Sequence, residues 1–260
     1  QVGSLVLDAE CQQLGDVHES LGRFATLGPI MTTIADKLQT VRARIDAACR
    51  QCGRDPASIR LLAVSKTFGP EAVREAWAAG QPAFGENYVQ EAVEKIQALQ
   101  DLPIEWHCIG PLQSNKTRLV AAHFHWVHSV DRLAIAQRLS LQRPATLPPL
   151  QICLQVNVDG GHTKSGVAPE SAAQLAHAIK SLSGIRLRGL MTIPEPSDDF
   201  TRMLAVHRRT RALFDQLNAQ GFALDTLSMG MSADLEAAVQ AGSTLVRVGT
   251  AIFGERAVPA

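Results

Sequence analysis

Eight short apolar runs recur along the chain, each followed by a stretch whose apolar residues fall at helical spacing. The runs cover 61–65, 82–84, 105–109, 125–129, 151–157, 186–191, 225–228 and 244–248. Continuous apolar runs of this length suit strands covered on both faces, as in a parallel sheet. The stretches between them predict helices at 70–80, 114–121, 131–142, 169–182, 198–219 and 232–241. Another predicted helix carries Val89, Val93, Ile96 and Leu99 on one stripe. Leu175, Ile179 and Leu182, and Met203, Leu204, Leu213, Phe214 and Leu217, mark core faces of two of these helices. Strict alternation predicts an α/β fold with a parallel sheet. A doubly wound sheet also alternates. The count of eight, with the last run close to the C-terminus, favours a single closed (β/α)8 barrel of the TIM type.

An extra helix precedes the first run, marked by Ile34, Leu38, Val41, Ile45 and Ala48 and closed by Gly53 and Asp55-Pro56. Residues 1–30 show no comparable period. They are expected to be an N-terminal extension outside the fold, with Met31 the natural initiator and 31–260 the barrel domain. No Pro- or Gly-rich linker divides the rest.

The 260 residues are 46% hydrophobic with a formal net charge of +0, which argues against a nucleic-acid or membrane-surface role. No run of about eighteen apolar residues is present to span a bilayer, and no signal peptide is evident. The five cysteines are odd in number and scattered, which fits a reduced, cytoplasmic protein. Cys49 and Cys52 have C-x-x-C spacing but fall inside a helical pattern without a second ligand pair, so redox or zinc chemistry is not favoured. His123, His125 and His128 cluster without a carboxylate or cysteine to complete a metal site. On a strand, His123 and His125 would share one face and His128 the other.

A barrel of this kind does its chemistry at the C-terminal ends of its strands. Lys66 directly follows the first apolar run, either snorkelling to water or held so that its amine is used. The seventh run leads into Ser228, Gly230 and Ser232, two hydroxyls and a flexible turn, with Ser232 a candidate helix cap and Asp234 in the first turn. The eighth carries Arg247 and then Gly249-Thr250, where a glycine allows close backbone approach and N–H groups suit an anion. Loops after strands seven and eight are common phosphate sites. Each residue alone has a plain reading as a rim or loop residue. Together, a lysine, a phosphate cradle and an arginine match the aldehyde, phosphate and pyridine nitrogen of pyridoxal 5'-phosphate.

At this point the chain resembles a known family. The segments A-V-S-K-T (63–67), F-G-E-N-Y (84–88), W-H-C-I-G (106–110), K-S-G (164–166), G-L-M-T-I (189–193), L-S-M-G-M-S-A-D (227–234) and V-R-V-G-T-A-I-F-G (246–254) occur in order. They resemble the pyridoxal-phosphate homeostasis proteins, relatives of the N-terminal barrel of alanine racemase. The resemblance implies a fold-type III cofactor barrel in which Lys66 forms a Schiff base. Ser228 or Ser232, with Gly249 and Thr250, would hold the phosphate and Arg247 would face the pyridine nitrogen. Asn87, His107, Asn157 and Met191 would line the ring. Cys108 departs from the family, which has an aromatic or other apolar residue there.

Arginine at the pyridine nitrogen donates only and stays charged, so it keeps that nitrogen unprotonated and weakens the ring as an electron sink. Racemisation needs a second base on the opposite face. In alanine racemase a tyrosine from a C-terminal β-domain supplies it, whereas Tyr88, the only tyrosine here, begins the helix after the second run. The expectation is therefore a carrier and regulator of cofactor supply with little or no turnover, handing pyridoxal phosphate to apo-enzymes or amines such as amino acids. A weak fold-type III racemase, or a Schiff-base aldolase that uses Lys66 alone, are the alternatives. A monomer is expected and a dimer allowed.

Overall fold

The computed structural model describes residues 32–160 and 165–255. The expected extension, 1–30, lies outside the described residues, as does Lys164.

The first helix, α1 (Ile34–Gln51), starts at a reciprocal cap. The Thr33 hydroxyl accepts from the Asp36 N–H, and the Asp36 carboxylate accepts from the Thr33 N–H. Its stripe of Leu38, Val41, Ile45 and Ala48 is buried, as the spacing predicts.

Strand and helix then alternate without exception: β1 (Arg60–Val64), α2 (Pro70–Ala78), β2 (Ala83–Glu86), α3 (Val89–Ala98), β3 (Glu105–Cys108), α4 (Thr117–His123), β4 (Trp126–Val130), α5 (Leu133–Gln142), β5 (Leu150–Gln155), α6 (Pro169–Lys180), β6 (Ile185–Met191), α7 (Phe200–Ala219), β7 (Thr226–Ser228), α8 (Leu235–Gln240), β8 (Leu245–Val248) and α9 (Thr250–Phe253). The strands form a closed parallel barrel in chain order, and β1 closes on β8 in the register Arg60↔Leu245 to Ala63↔Val248. Two helices, α2 and α6, begin with proline in the first turn, where its missing N–H costs no hydrogen bond.

Three details differ from the sequence reading. Asp234, not Ser232, occupies the cap position of α8, because Ser232 belongs to the preceding turn. His123 ends α4 and so does not share a strand face with His125. One helical turn, α9, follows β8 directly; four residues are too few to show a period.

Side chains alternate across each strand. Leu61 and Ala63 face the helical layer, while Leu62 and Val64 pack inside with Ala83, Ile109 and Leu245. Barrel interiors are normally filled by bulky branched residues. Here much of the filling is polar: His107, His128, Ser228 and Arg247 are all buried on inward-facing strand positions.

Candidate functional site

A cavity of about 340 Å³ opens at the C-terminal end of the barrel, within the size range of small-molecule sites. Lys66, Asn87, Ser232, Arg247, Gly249 and Thr250 all contribute to its wall. Six of the residues singled out in the sequence, from the ends of four different strands, therefore meet in one place.

Lys66 has the inward parity of Leu62 and Val64 and lies in a tight turn, closed by the Phe68 N–H donating to the Ser65 carbonyl at 3.1 Å. Thr67, the third residue of that turn, has φ 68°, a left-handed conformation that is costly for a β-branched side chain. Surrounding groups hold it there. The Thr67 N–H donates to Glu91 at 2.9 Å. The Lys95 ammonium donates to the Ser65 carbonyl at 2.9 Å and to Glu86 at 2.6 Å. The Ser65 hydroxyl donates to the same Glu86 oxygen at 2.6 Å. Burial pushes the Glu86 carboxyl up, and the neighbouring Lys95 charge opposes that shift. The backbone on both sides of Lys66 is thus tied to a buried ion pair between β2 and α3.

Arg247 approaches from β8. One guanidinium nitrogen donates to the Ser228 carbonyl at 2.6 Å and hydroxyl at 2.7 Å, and another to the Thr192 carbonyl at 2.8 Å. Burial lowers its pKa to about 10, which leaves it charged at neutral pH. These contacts use at most three of its five N–H donors.

The turn after β7 carries Ser232. Gly230 there has φ 96°, and a Cβ at that position would lie 2.5 Å from the Ala238 Cβ. The turn is fixed from two sides. Asp234 accepts from the Met231 N–H at 2.6 Å and hydrogen-bonds His207 at 2.8 Å. Burial pushes the Asp234 carboxyl up, but the His207 and Met231 hydrogen bonds hold it below the usual carboxylate range. Arg44 of the additional helix α1 donates to the Ser232 carbonyl at 3.0 Å. Across the cavity, Gly249 brings the backbone close to β1, and the first N–H groups of α9 have no acceptor within the helix.

The other sequence candidates lie elsewhere. Ser228 and His107 are fully buried beneath the cavity and do not form its wall. The Ser228 hydroxyl is already committed to His128 and Arg247, so Ser232 is the hydroxyl of the pair that reaches the cavity. Met191 packs against Trp126 and Cys153. Asn157 accepts from the Gly160 N–H at 3.2 Å, outside the cavity wall. Gly230 shapes the turn from beneath. Sequence reasoning missed Phe68, Ile109, Ile193 and Met231 in the wall; only the parity of Ile109 with His107 pointed to any of them.

The histidine trio makes no metal site, and no metal-binding cluster of His, Cys, Asp or Glu is found among the described residues. His125 accepts from the Trp106 N–H at 3.0 Å, and His128 points into the barrel. Cys49, Cys52, Cys108 and Cys153 are unpaired with one another. Among the described residues no helix is long and apolar enough to cross a membrane.

Comparison with known proteins agrees with this geometry. Residues 37–257 match the alanine racemase N-terminal domain family. A pyridoxal phosphate homeostasis protein of Pseudomonas aeruginosa is 60% identical over 226 residues, covering 87% of this chain and 97% of the relative. The Escherichia coli protein of the same name is 53% identical over 229 residues, covering 87% and 98%. PipY of Synechococcus elongatus, solved with PLP bound, superposes with a TM-score of 0.76 at 38% identity, covering 85% of this chain and 100% of PipY. Alanine racemase of Clostridium difficile shares the fold alone, with a TM-score of 0.69 at 16% identity over 86% of this chain and 58% of the racemase. The barrel with its lysine at the end of β1 thus belongs to the alanine racemase N-terminal domain family, among the pyridoxal phosphate homeostasis proteins.

Proposed function

We propose that this protein binds pyridoxal 5'-phosphate through Lys66 and serves the storage and hand-over of that cofactor in the cytoplasm. When bound, the cofactor supplies an aldehyde that condenses with the Lys66 amine to a Schiff base. The residues present fit such a group. The wall combines an amine, a charged guanidinium with donors to spare, and N–H groups and hydroxyls at two turns. It also includes Asn87, whose buried side-chain oxygen makes no hydrogen bond in the structure. The observation that carries the reading is the convergence of Lys66, Arg247 and the two turns after β7 and β8 on a single cavity.

Each residue has a physical task. The strained turn holds the Lys66 backbone so that its amine enters the cavity from β1. Ser232, Gly249 and Thr250 orient an anionic group by short N–H and O–H donors. Arg247, fixed by Ser228 and Thr192, presents positive charge and donors to a ring nitrogen and so favours its unprotonated form. Val64, Ile109 and Ile193 give the cavity an apolar side.

Release without turnover is favoured by what the wall lacks. Among the described residues, its members include no histidine, carboxylate, cysteine or tyrosine that would serve as a second proton-transfer group opposite Lys66. Tyr88 is 51% exposed at the start of α3 and is not part of the wall.

The test has two parts. Borohydride reduction of the loaded protein followed by peptide mapping should label Lys66, and Lys66→Ala should abolish the label; a label on Lys116 or Lys164 would overturn the assignment. Incubation with L-alanine in deuterated solvent should give no catalytic α-proton exchange and no D-isomer. Repeated turnover to the D-isomer would replace the carrier reading with a racemase.

A further inference from the structure

Five inward-facing side chains connect the cavity to the opposite end of the barrel. Arg247 donates to the Ser228 hydroxyl at 2.7 Å. Ser228 and His128 Nδ1 are 2.8 Å apart, His128 Nε2 and His107 Nδ1 are 2.8 Å apart, and His107 Nε2 lies 2.7 Å from the Glu105 carboxylate. Glu105 opens β3 at the barrel floor, where it is half-exposed and paired with Arg60. An ionised Glu105 can only accept and both imidazoles are neutral, so the donor pattern of the file has one consistent solution, fixed from Glu105 upward. The Ser228 hydroxyl, having accepted from Arg247, donates to His128 Nδ1. His128 Nε2–H donates to His107 Nδ1, and His107 Nε2–H donates to Glu105. Every member then gives in one direction, from a buried cation to a carboxylate.

Packing alone does not call for such a file. Two histidines, a serine and an arginine occupy positions that branched apolar residues normally fill, and a polar interior is tolerated only when every group is satisfied. The binding site uses just the top member. We propose that the file is a relay by which the Glu105–Arg60 pair at the floor sets the electrostatic balance of Arg247, and with it the electronics of whatever group Arg247 meets in the cavity. The inference rests on reading that cavity as a pyridoxal phosphate site. His107, His128 and Ser228 are positioning residues: none reaches the cavity wall.

Both imidazoles are neutral in this arrangement. Burial lowers His107 to about 4 and His128 well below the ordinary histidine value, while the Glu105 contact opposes the shift at His107. The charged or titratable groups facing the file are Arg60 on β1, Glu105 on β3, His125 just before β4, Cys153 on β5, Asp234 just before α8 and Arg247 on β8. Arg188 on β6, paired with Asp225, stands over the Trp126 ring that stacks on His107.

The first test needs no cofactor. In the cofactor-free protein, long-range proton–nitrogen NMR should show His107 and His128 each protonated on Nε2 only, with neither ring titrating between pH 8 and about 5.5. A ring protonated on Nδ1, or one that titrates in that range, would overturn the relay. The second test uses the visible absorption band of the loaded protein. Glu105→Gln removes a negative charge and should lower the pH midpoint of that band. Arg60→Gln leaves the carboxylate uncompensated and should raise it. A unit charge at roughly 15 Å, with an effective dielectric of about 20–40, corresponds to roughly 0.4–0.8 pH unit in each direction. A merely structural role would lower thermal stability in both variants without opposite shifts, and unchanged midpoints would overturn the proposal. Absence of any visible band in the parent protein would instead overturn the cofactor reading, leaving the NMR result to decide on the relay.

Discussion

Replacing Lys95 by methionine should cost this barrel more stability than either of its two ion pairs suggests. The ammonium is 4% exposed. Its three donors are all used, by Glu86 at 2.6 Å, the Ser65 carbonyl at 2.9 Å and Glu91 at 3.2 Å. Methionine matches the length and apolar stem but removes every one of these bonds. Glu86, fully buried in its side chain, is then left with the Ser65 hydroxyl as its hydrogen-bond donor. Because burial already pushes that carboxyl up, it will take a proton rather than remain a buried anion. Breaking one partner out of a buried pair typically costs about 3–5 kcal/mol. For a domain of this size, where about 1 kcal/mol shifts Tm by roughly 2–4 °C, the expected drop is on the order of 10 °C.

Urea denaturation and thermal melts of Lys95→Met, Glu86→Gln and the double variant form a cycle that isolates the pair. Glu86→Gln in the Lys95→Met background should recover about half of the loss, since a neutral amide no longer needs the cation. Borohydride labelling of Lys66 should slow in Lys95→Met and recover in part in the double variant, because the Ser65 carbonyl has lost its tether. A loss below about 1 kcal/mol, or single effects that simply add, would refute the claim that this pair holds the β1 turn.

Acid should destabilise the fold before ordinary carboxylates titrate. His107 is held neutral at about 4 against 6.5 when unfolded, so its contribution is fully present above pH 6.5 and is lost as pH falls toward 4, about 3 kcal/mol in all. Urea midpoints across that window should fall less steeply in His107→Gln, with the equally buried His128 keeping part of the slope. Gly230→Ala combines φ 96° with a Cβ 2.5 Å from that of Ala238; it should lose about 1–3 kcal/mol and release cofactor faster, as measured by melting and stopped-flow absorbance. Gly110→Ala would set a Cβ 2.3 Å from the Asn87 carbonyl, so it should weaken cofactor retention by displacing Asn87, seen as a raised Kd. A chain starting at Met31 keeps the Thr33–Asp36 cap of α1 and should melt within about 2 °C of the longer one.

The barrel was legible because its strands are buried on both faces and its helices on one. Every expected strand lies within two residues of the observed one at each end. What local periodicity misses is an element too short to have a period: α9 is a single turn, and the start of α8 depends on Asp234 reaching Met231 and His207, the latter on α7. At the site, strand ends named the residues that project past the barrel, Lys66 and Thr250 among them. They did not separate cavity wall from the layer below. Ser228 and Ser232 look alike in sequence, yet only depth along β7 decides that one serine meets Arg247 and His128 while the other faces the cavity. The family resemblance implies His107 beside the ring; parity on β3 puts it inside the barrel but does not say how far down.

The segment after β1 shows how such a barrel fixes the backbone on both sides of a lysine. Thr67 in the left-handed region costs on the order of 1–2 kcal/mol, and glycine would relieve that. A glycine would also free the turn, adding backbone entropy beside the group that must meet the cavity. The threonine conformation is instead over-determined. Glu91 fixes its N–H, the Ser65 carbonyl is held by both Phe68 and Lys95, and Glu86 anchors the Ser65 hydroxyl. Thr67→Gly should therefore remove strain and yet loosen the turn. Its expected signature is a melting temperature within a few degrees of the parent, together with faster hydrogen exchange at Thr67 and Phe68 and slower borohydride labelling of Lys66. If exchange and labelling stay unchanged while stability rises, the strain at Thr67 has no part in presenting Lys66.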